Sequence, residues 1–439
     1  MSKPARPRKT SSGSPAKLHD RYDVIIVGGG MIGGTLAASL GRLGLDILLL
    51  DRLEPDVALE APFDGRASAI AYGSQRILDG VGIWSGMAHA AQPILDIRVS
   101  DGASPLFLHY DHRAAGEQFA GAPFGWIVEN LALRRAIDAA LDGIRNVTRV
   151  APAQALDVAL RPGHIGVRVL DEAGKRSRDI DATLLVGADG RNSSLRKRFG
   201  IAVTEWAYPQ TAIVCTMGHE RPHRGIAHER FLTSGPFAVL PMVDDPLAPD
   251  PLARHRSSIV WTERTAQAPH YLALDDAQFS AELAQRFGAY YGDVKLLGRR
   301  WSYPLSLMHA ETYVRPRAAL IGDAAHAIHP IAGQGLNMGL RDVAALAESI
   351  ADAARLGLDI GAEDVLVRYQ RWRRFDNVAL AAVTDALNRL FSNDVAPVRI
   401  ARDVGLAAVN KLPPVKRFFM RHAMGMTGKL PRLMKGERL

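Results

Sequence analysis

Apolar residues along this chain follow two rhythms, and the alternation between them lays out the architecture. Three short stretches are apolar almost throughout: Asp23 to Val27, Thr183 to Val186 and Ala318 to Ile321. Such runs read as strands buried on both faces, as in a parallel sheet. Each ends in glycine and aspartate or a glycine loop: Gly28-Gly29-Gly30-Met31-Ile32-Gly33, Gly187-Ala188-Asp189-Gly190 and Gly322-Asp323. Elsewhere the pattern alternates. Ile94 to His109 reads as paired strands around a turn at Asp101-Gly102, and Val147 to Ile180 as a strand-turn-strand series. Residues 207–310 carry strand-like runs at Thr211 to Met217, Phe237 to Met242 and Ser258 to Thr262, cut by glycine and proline. Helical periodicity covers the small residues up to Leu43, the stretch after Val128-Glu129-Asn130, and residues 275–291, 340–356 and 363–391.

The expected fold class is α/β. A Rossmann-like nucleotide-binding domain, discontinuous over 21–92, 121–206 and 311–395, holds an inserted, mostly antiparallel β-sheet substrate domain at 93–120 and 207–310. Residues 1–20 read as a disordered basic extension and 396–439 as a basic C-terminal helical tail.

Charge sharpens the reading of the ends. The net charge is +8, but residues 1–21 and 411–439 hold 14 of the 54 basic residues and two of the 46 acidic ones, leaving the body at 40 against 44. The tails therefore fit either solvated ends or attachment to an anionic membrane surface. No nucleic-acid module or aromatic-interleaved basic patch is present. Cys215 is the single cysteine, which excludes an intrachain disulfide framework and fits a reducing compartment. No secretory signal or membrane-length apolar run is visible. The expected location is cytoplasmic, peripherally membrane-associated.

The chemistry starts at the glycines. Gly28, Gly30 and Gly33 sit between a strand and a helix, in a complete βαβ unit closed by Asp51-Arg52. That context marks a dinucleotide loop, with the pyrophosphate at the helix N-terminus and Asp51 on a ribose hydroxyl. Arg66, in Asp64 to Ile70, could cross a phosphate or flank a flavin, or be a surface arginine. Asp189 and Asp323 each follow a buried strand. Gly333, Gly335 and Gly339 open a long helix with Asn337 and Asp342 near its start, a joint suited to a flat ring that becomes negative as it reacts. His326 and His329 read as packing or hydrogen-bonding residues, and no spacing calls for a metal.

Three landmarks in order, a GxGxxG loop, a mid-chain DG turn and a late GD stretch, resemble the class A FAD-dependent aromatic monooxygenases. Finer matches narrow this: Asp64 to Ile70, Val128-Glu129-Asn130, Tyr208 to Ala212, His228-Glu229-Arg230-Phe231, Gly235 to Pro241, Val260-Trp261, Tyr303-Pro304-Leu305 and Gly322 to Asn337. From about residue 22 onward the chain resembles the ubiquinone-biosynthesis (coenzyme Q) hydroxylases.

The resemblance implies FAD as cofactor, with NAD(P)H or another electron donor and molecular oxygen as co-substrates. Gly28, Gly30, Gly33, Asp51 and Arg52 would hold the pyrophosphate and adenosine ribose; the family's usual acid at Asp51 is glutamate. Arg66 and Asn130 would reach the phosphate and ribityl region, Asp189 would support the cofactor, and Asp323 would bind a ribityl hydroxyl. Gly335, Leu336 and Asn337 would face the isoalloxazine. Pro330, Gly333, Gln334 and Gly335 would border the reacting edge, where a flavin C4a-hydroperoxide hydroxylates the ring of a polyprenyl-phenol. Arg230, Phe237, Leu240 and Tyr303 are the expected substrate wall. The implied partners are that substrate, a ubiquinone-biosynthesis complex, a peripheral membrane surface and a homo-oligomer. Three competing readings stay open: a flavin monooxygenase on a soluble aromatic acid held by Arg230, an NAD-dependent dehydrogenase, and a flavin-bearing scaffold subunit.

Overall fold

The computed structural model describes residues 18–54, 65–102, 107–173, 175–328, 333–391 and 409–439. Its first sheet is built from the fully apolar runs. Strand β1 (Arg21–Val27) lies between β2 (Ile47–Leu50) and β11 (Arg176–Gly187), all parallel, and β18 (Ala318–Leu320) extends the sheet beyond β11. Val24, Ile25, Ile26, Leu184, Leu185 and Val186 are completely buried. Each such side chain stabilises the fold by roughly 1.5–3 kcal/mol. On the outer edge β8 (Val147–Val150) pairs with β2, and β9 (Ala153–Arg161) and β10 (His164–Asp171) meander antiparallel from β11.

Helix α1 (Met31–Gly41) covers this sheet, with α3 (Asn130–Asp142) beside it. The long α6 (Gln334–Arg355) and α7 (Glu363–Phe391) pack on each other, α6 against α1. α6 begins six residues earlier than its periodicity predicts. The glycines at 335 and 339 dilute the apolar signal, yet both lie in the helix.

The alternating segments make the second sheet, of eight strands in the order β19-β16-β12-β15-β14-β13-β5-β6. Its members are β5 (Asp96–Asp101), β6 (Phe107–Asp111), β12 (Val203–His219), β13 (Ile226–Leu232), β14 (Gly235–Pro241), β15 (His255–Arg264), β16 (Val294–Ala310) and β19 (His326–Ala327). Helix α5 (Asp276–Phe287) covers one face of it and carries a capping box at Asp275 and Gln278. A small third sheet, β3 (Ala67–Ala71), β7 (Gly125–Glu129) and β4 (Ala91–Ile94), joins the two larger ones.

Of the expected C-terminal helical tail, 396–408 lie outside the described residues, and 409–439 are helical and pack against the body. Its helices α8 (Pro413–Ala423) and α9 (Arg432–Lys435) seat Met420, Met424, Leu433 and Met434 in the body, all 2% exposed or less. Arg432 pairs with Glu348 and Asp352 on α6, and Lys435 O accepts from Arg76 on α2 (Tyr72–Gly80). Spaced apolar side chains among basic ones anchor it, and of those basic residues Arg432 is ion-paired to the body. Among the described residues no helix is long and apolar enough to cross a membrane.

Candidate active site

Because β1, β11 and β18 run parallel as neighbours, the three glycine–aspartate joints emerge at one sheet edge. Their packing is backbone on backbone. A Cβ at Gly28 (φ +106°) would stand 2.3 Å from the carbonyl oxygen of Ala188, and one at Gly33 would stand 1.8 Å from that of Gly28. Gly322 and Gly339 both close on Ile32 of α1. Only glycine permits these approaches.

Two other glycines behave differently. A Cβ at Gly30 or Gly335 would meet nothing within 4 Å. Both stand at helix N-termini, those of α1 and α6, where free N–H groups face the open space. Gly333 caps α6 in the left-handed region (φ +61°) and presses on Ala69.

The carboxylates divide by role. Asp51 ends beside the first loop; one oxygen accepts from Gly29 N–H at 2.8 Å and the other from Leu53 N–H at 3.0 Å, so it shapes the turn as well as bordering it. Arg52 follows on the exposed side. Asp189 caps α4 (Ser194–Arg198), one oxygen accepting from Ser194 N–H at 2.7 Å; its other oxygen is buried without a partner. Asp323 makes no hydrogen bond among the described residues. It is open to the cleft although protein surrounds it, and this loss of hydration raises its pKa. An orphaned oxygen, an unpartnered carboxylate and two bare helix N-termini along one edge fit the diphosphate, ribityl chain and ring of a flavin dinucleotide.

Arg66 and Asn130 meet where β3 begins. Asn130 N–H donates to Arg66 O at 3.0 Å, and Ser68 Oγ donates to Asn130 Oδ1 at 2.6 Å. The Arg66 guanidinium lies 4.6 Å from the Trp301 ring centre and reaches Tyr303 Oη at 3.5 Å. The side chain of Asn337 turns inward rather than toward the cleft: it accepts from Ala71 N–H and donates to Ala69 O and Gly333 O. It thereby locks the start of α6 to β3. Leu336 packs on the main core, and Gln334 is already engaged. Pro330, like His329 and Asp64, lies outside the described residues.

The expected substrate wall splits. Side chains alternate across a strand, and register puts Phe237 and Arg230 on the face beneath α5. Phe237 is 1% exposed in the Trp261–Phe279 core, and Arg230 donates to the carbonyls of Gly102 and Arg286. Neither reaches the cleft, which corrects their assignment. Leu240 and Tyr303 fall on the opposite face, toward β3 and Arg66. A cavity of about 500 Å³ beside Glu263, Tyr271 and Arg286 opens on the α5 side and is no part of this site. Burial pushes the Cys215 thiol up to about 12, so it is packing, not a nucleophile.

Two supports escaped sequence reasoning. Arg196 on α4 donates to Ala324 O at 2.9 Å and Arg191 O at 2.7 Å, tying the DG joint to the GD joint. Beneath both, Asp342 is fully buried. It accepts from Gly322 N–H at 3.0 Å and Arg373 Nε at 2.8 Å, and contacts His326 Nε2 at 2.5 Å. His326 is thus a hydrogen-bonding residue, as expected. No local signal marks Arg373, on a helix of ordinary polarity 31 positions away.

A family model described as FAD binding domain matches residues 21–382. The chain is 50% identical over 418 residues to the ubiquinone hydroxylase UbiL of Rhodospirillum rubrum, covering 94% of this chain and 92% of that one. It is 33% identical to the 3-demethoxyubiquinol 3-hydroxylase of Escherichia coli (92% and 98% covered) and 31% identical to the human mitochondrial ubiquinone biosynthesis monooxygenase COQ6 (93% and 94%). Among solved structures, the p-nitrophenol 4-monooxygenase PnpA of Pseudomonas putida superposes with a TM-score of 0.75 at 19% identity, covering 94% of this chain and all of that one.

Proposed function

The chain belongs to the ubiquinone-biosynthesis hydroxylases, a family of FAD-dependent aromatic monooxygenases, and from that premise we propose that it hydroxylates the aromatic ring of a polyprenyl-phenol in ubiquinone biosynthesis. The observation that carries the reading is the meeting of three distant joints at one edge with two helix N-termini whose glycines would leave a Cβ untouched.

When bound, FAD supplies two-electron chemistry and the means of activating molecular oxygen, with NAD(P)H or another donor as reductant. The residues do the rest. The Gly28–Gly33 loop would hold the pyrophosphate, and Asp51 orders that loop. Asp189 and Asp323 take hydroxyl hydrogen bonds. The N-terminus of α6 at Gly333–Gly335 would hold the ring with preorganised N–H donors. The second sheet, through Tyr303, Trp301 and Leu240, keeps water from the reacting centre. Arg230 is committed to backbone carbonyls, which counts against the reading with a soluble aromatic acid.

Purified protein is expected to be yellow and to consume NAD(P)H faster with a prenylated phenol than with 4-hydroxybenzoate. A strain lacking the gene should accumulate a ubiquinone precursor short of one ring hydroxyl, restored by the wild-type copy. Colourless protein that takes up no FAD, or an unchanged quinone profile, would sink the reading.

The substrate's prenyl chain places it in a bilayer, and the proposal includes docking there by the outer face of α8. Leu412, Val415, Phe418 and Phe419 are exposed beside Lys411 and Arg417. Deleting 411–439 is a poor test, since it strips Met420, Met424, Leu433 and Met434 from the core. Phe418→Ser/Phe419→Ser should instead lower cosedimentation with anionic liposomes roughly tenfold or more at unchanged flavin content. Unchanged cosedimentation rules this surface out.

A further inference from the structure

Strand register fixes which side chains of the second sheet look at the cleft. Pairings from β5 across to β16 put Val99, Glu229, Ala238, Val260, Val214 and Trp301 in one row on the face opposite α5. The adjacent row carries Leu240 and Thr216, and Thr216 Oγ donates to Gly65 O at 3.1 Å, so this face looks directly at the Arg66 segment. Val260, Val214, Leu240 and Glu229 sit in mid-sheet yet all keep accessible surface. On the same face Ala227 and Phe231, which flank Glu229, are buried in a packed cluster, so the accessible surface is confined to the strip between them and Trp301.

Glu229 is the one ionisable side chain in that row. Among the described residues it has no hydrogen bond and no ion pair. The neighbouring arginines of its own and the adjoining strand, Arg230 and Arg98, are turned to the α5 face, where Arg98 lies over the Tyr290 ring. Arg66 stands across the sheet at Trp301. Protein surrounds the carboxyl while one side stays open, and this burial alone raises its pKa to about 7. A carboxyl left unpaired in an apolar wall is costly for folding and is explained when a ligand completes it.

A prenylated phenol offers the complement: an apolar chain for the valine and leucine wall, and a single O–H donor. We propose that Glu229 accepts the hydrogen bond of the substrate's phenolic hydroxyl and takes its proton as oxygen is transferred to the ring. The O–H bond breaks, its electron pair stays on the ring oxygen, and the carbons ortho and para to it become more electron-rich. The proton rests on the Glu229 carboxyl and passes to water when product leaves. This rests on the aromatic-hydroxylase reading above and gives that reaction a base for the phenol.

The test uses flavin-loaded enzyme, a short-chain prenylated phenol and its methyl ether. Calorimetric titration should show wild type binding the phenol about 10- to 100-fold more tightly than the ether, the range of a hydrogen bond to a charged group. Glu229→Leu should bind the two alike, with ether affinity and flavin content kept. Glu229→Gln can accept the hydrogen bond but not the proton. It should keep the preference for the phenol and lose about 100-fold or more in hydroxylation rate, with flavin reduction by the donor unchanged. If Glu229→Leu does not fold, the Glu229→Gln rate decides. Wild-type discrimination in Glu229→Leu, or wild-type turnover in Glu229→Gln, overturns the inference alone. A wild-type enzyme that hydroxylates no prenylated phenol overturns the functional reading together with it.

Discussion

Gly30→Leu and Gly335→Leu are each expected to purify as folded, colourless protein. At both positions a Cβ would meet no atom of the described residues within 4 Å, and both backbones already have dihedral angles open to any residue. The fold should not notice. The cofactor should, if the proposed placement of its pyrophosphate at Gly30 and its ring at Gly335 holds. Overfilling a fitted space costs about 1–3 kcal/mol, so FAD affinity should fall roughly 10- to 100-fold per variant. Gly33→Ala is the contrast: its methyl group would collide with the carbonyl of Gly28 and distort the α1 entry, so stability and flavin should be lost together. Thermal melts by circular dichroism, visible absorbance and FAD titration separate the cases. Either leucine variant retaining wild-type flavin content would show that this edge is not the cofactor's place.

What the sequence shows of this site follows from how local each constraint is. A glycine that must let backbone approach backbone, as at 28 and 33, leaves its mark on its own position. So does an aspartate closing a buried strand, and three such joints fall on one edge because three apolar runs must pair as parallel neighbours. The face of a strand is less legible. Phe237 and Leu240 lie three apart in one apolar run with no polar partner between them, so alternation could not tell the α5 side from the cleft side. Register against β13 and β15 decides it, and register is a property of pairs. Glu229 stayed hidden for the same reason; in His228-Glu229-Arg230 every residue is polar, and only pairing with Ala238 and Val99 shows which one faces the cleft. How the C-terminal segment is anchored is also hidden in its composition. Its basic residues stand out, whereas the four buried methionine and leucine anchors declare themselves only once α2 and α6 are in place.

Asp342→Ala is expected to be the most damaging single substitution outside the glycine loops. Asp342 is fully buried, and Arg373, its partner, is 2% exposed. Arg373 also donates to Asp376 and Asn377, so it cannot swing out to water. Removing the carboxylate leaves the buried Arg373 Nε and Gly322 N–H without their acceptor, with Asp376 the guanidinium's remaining charge partner. Breaking one side of a buried pair costs about 3–5 kcal/mol, against a typical total of about 5–15 kcal/mol. The loss should appear first as flavin release, because Gly322 holds the GD joint in place. Asp342→Leu combined with Arg373→Met should recover much of the stability without the joint, since the uncompensated charge is then gone.

Acid gives an independent readout. Burial by itself would raise the Asp342 pKa, but His326 and Arg373 outweigh it and hold the value at about 2, below the ordinary carboxylate value. A depressed folded-state pKa means stability that is fully present above about pH 4 and lost as pH falls toward 2, on the order of 2 kcal/mol. Asp342→Asn should lack that part of the acid limb. If its stability falls with pH between 4 and 2 as steeply as that of wild type, the buried ion pair is not what ties the flavin-facing loop to the helices behind it.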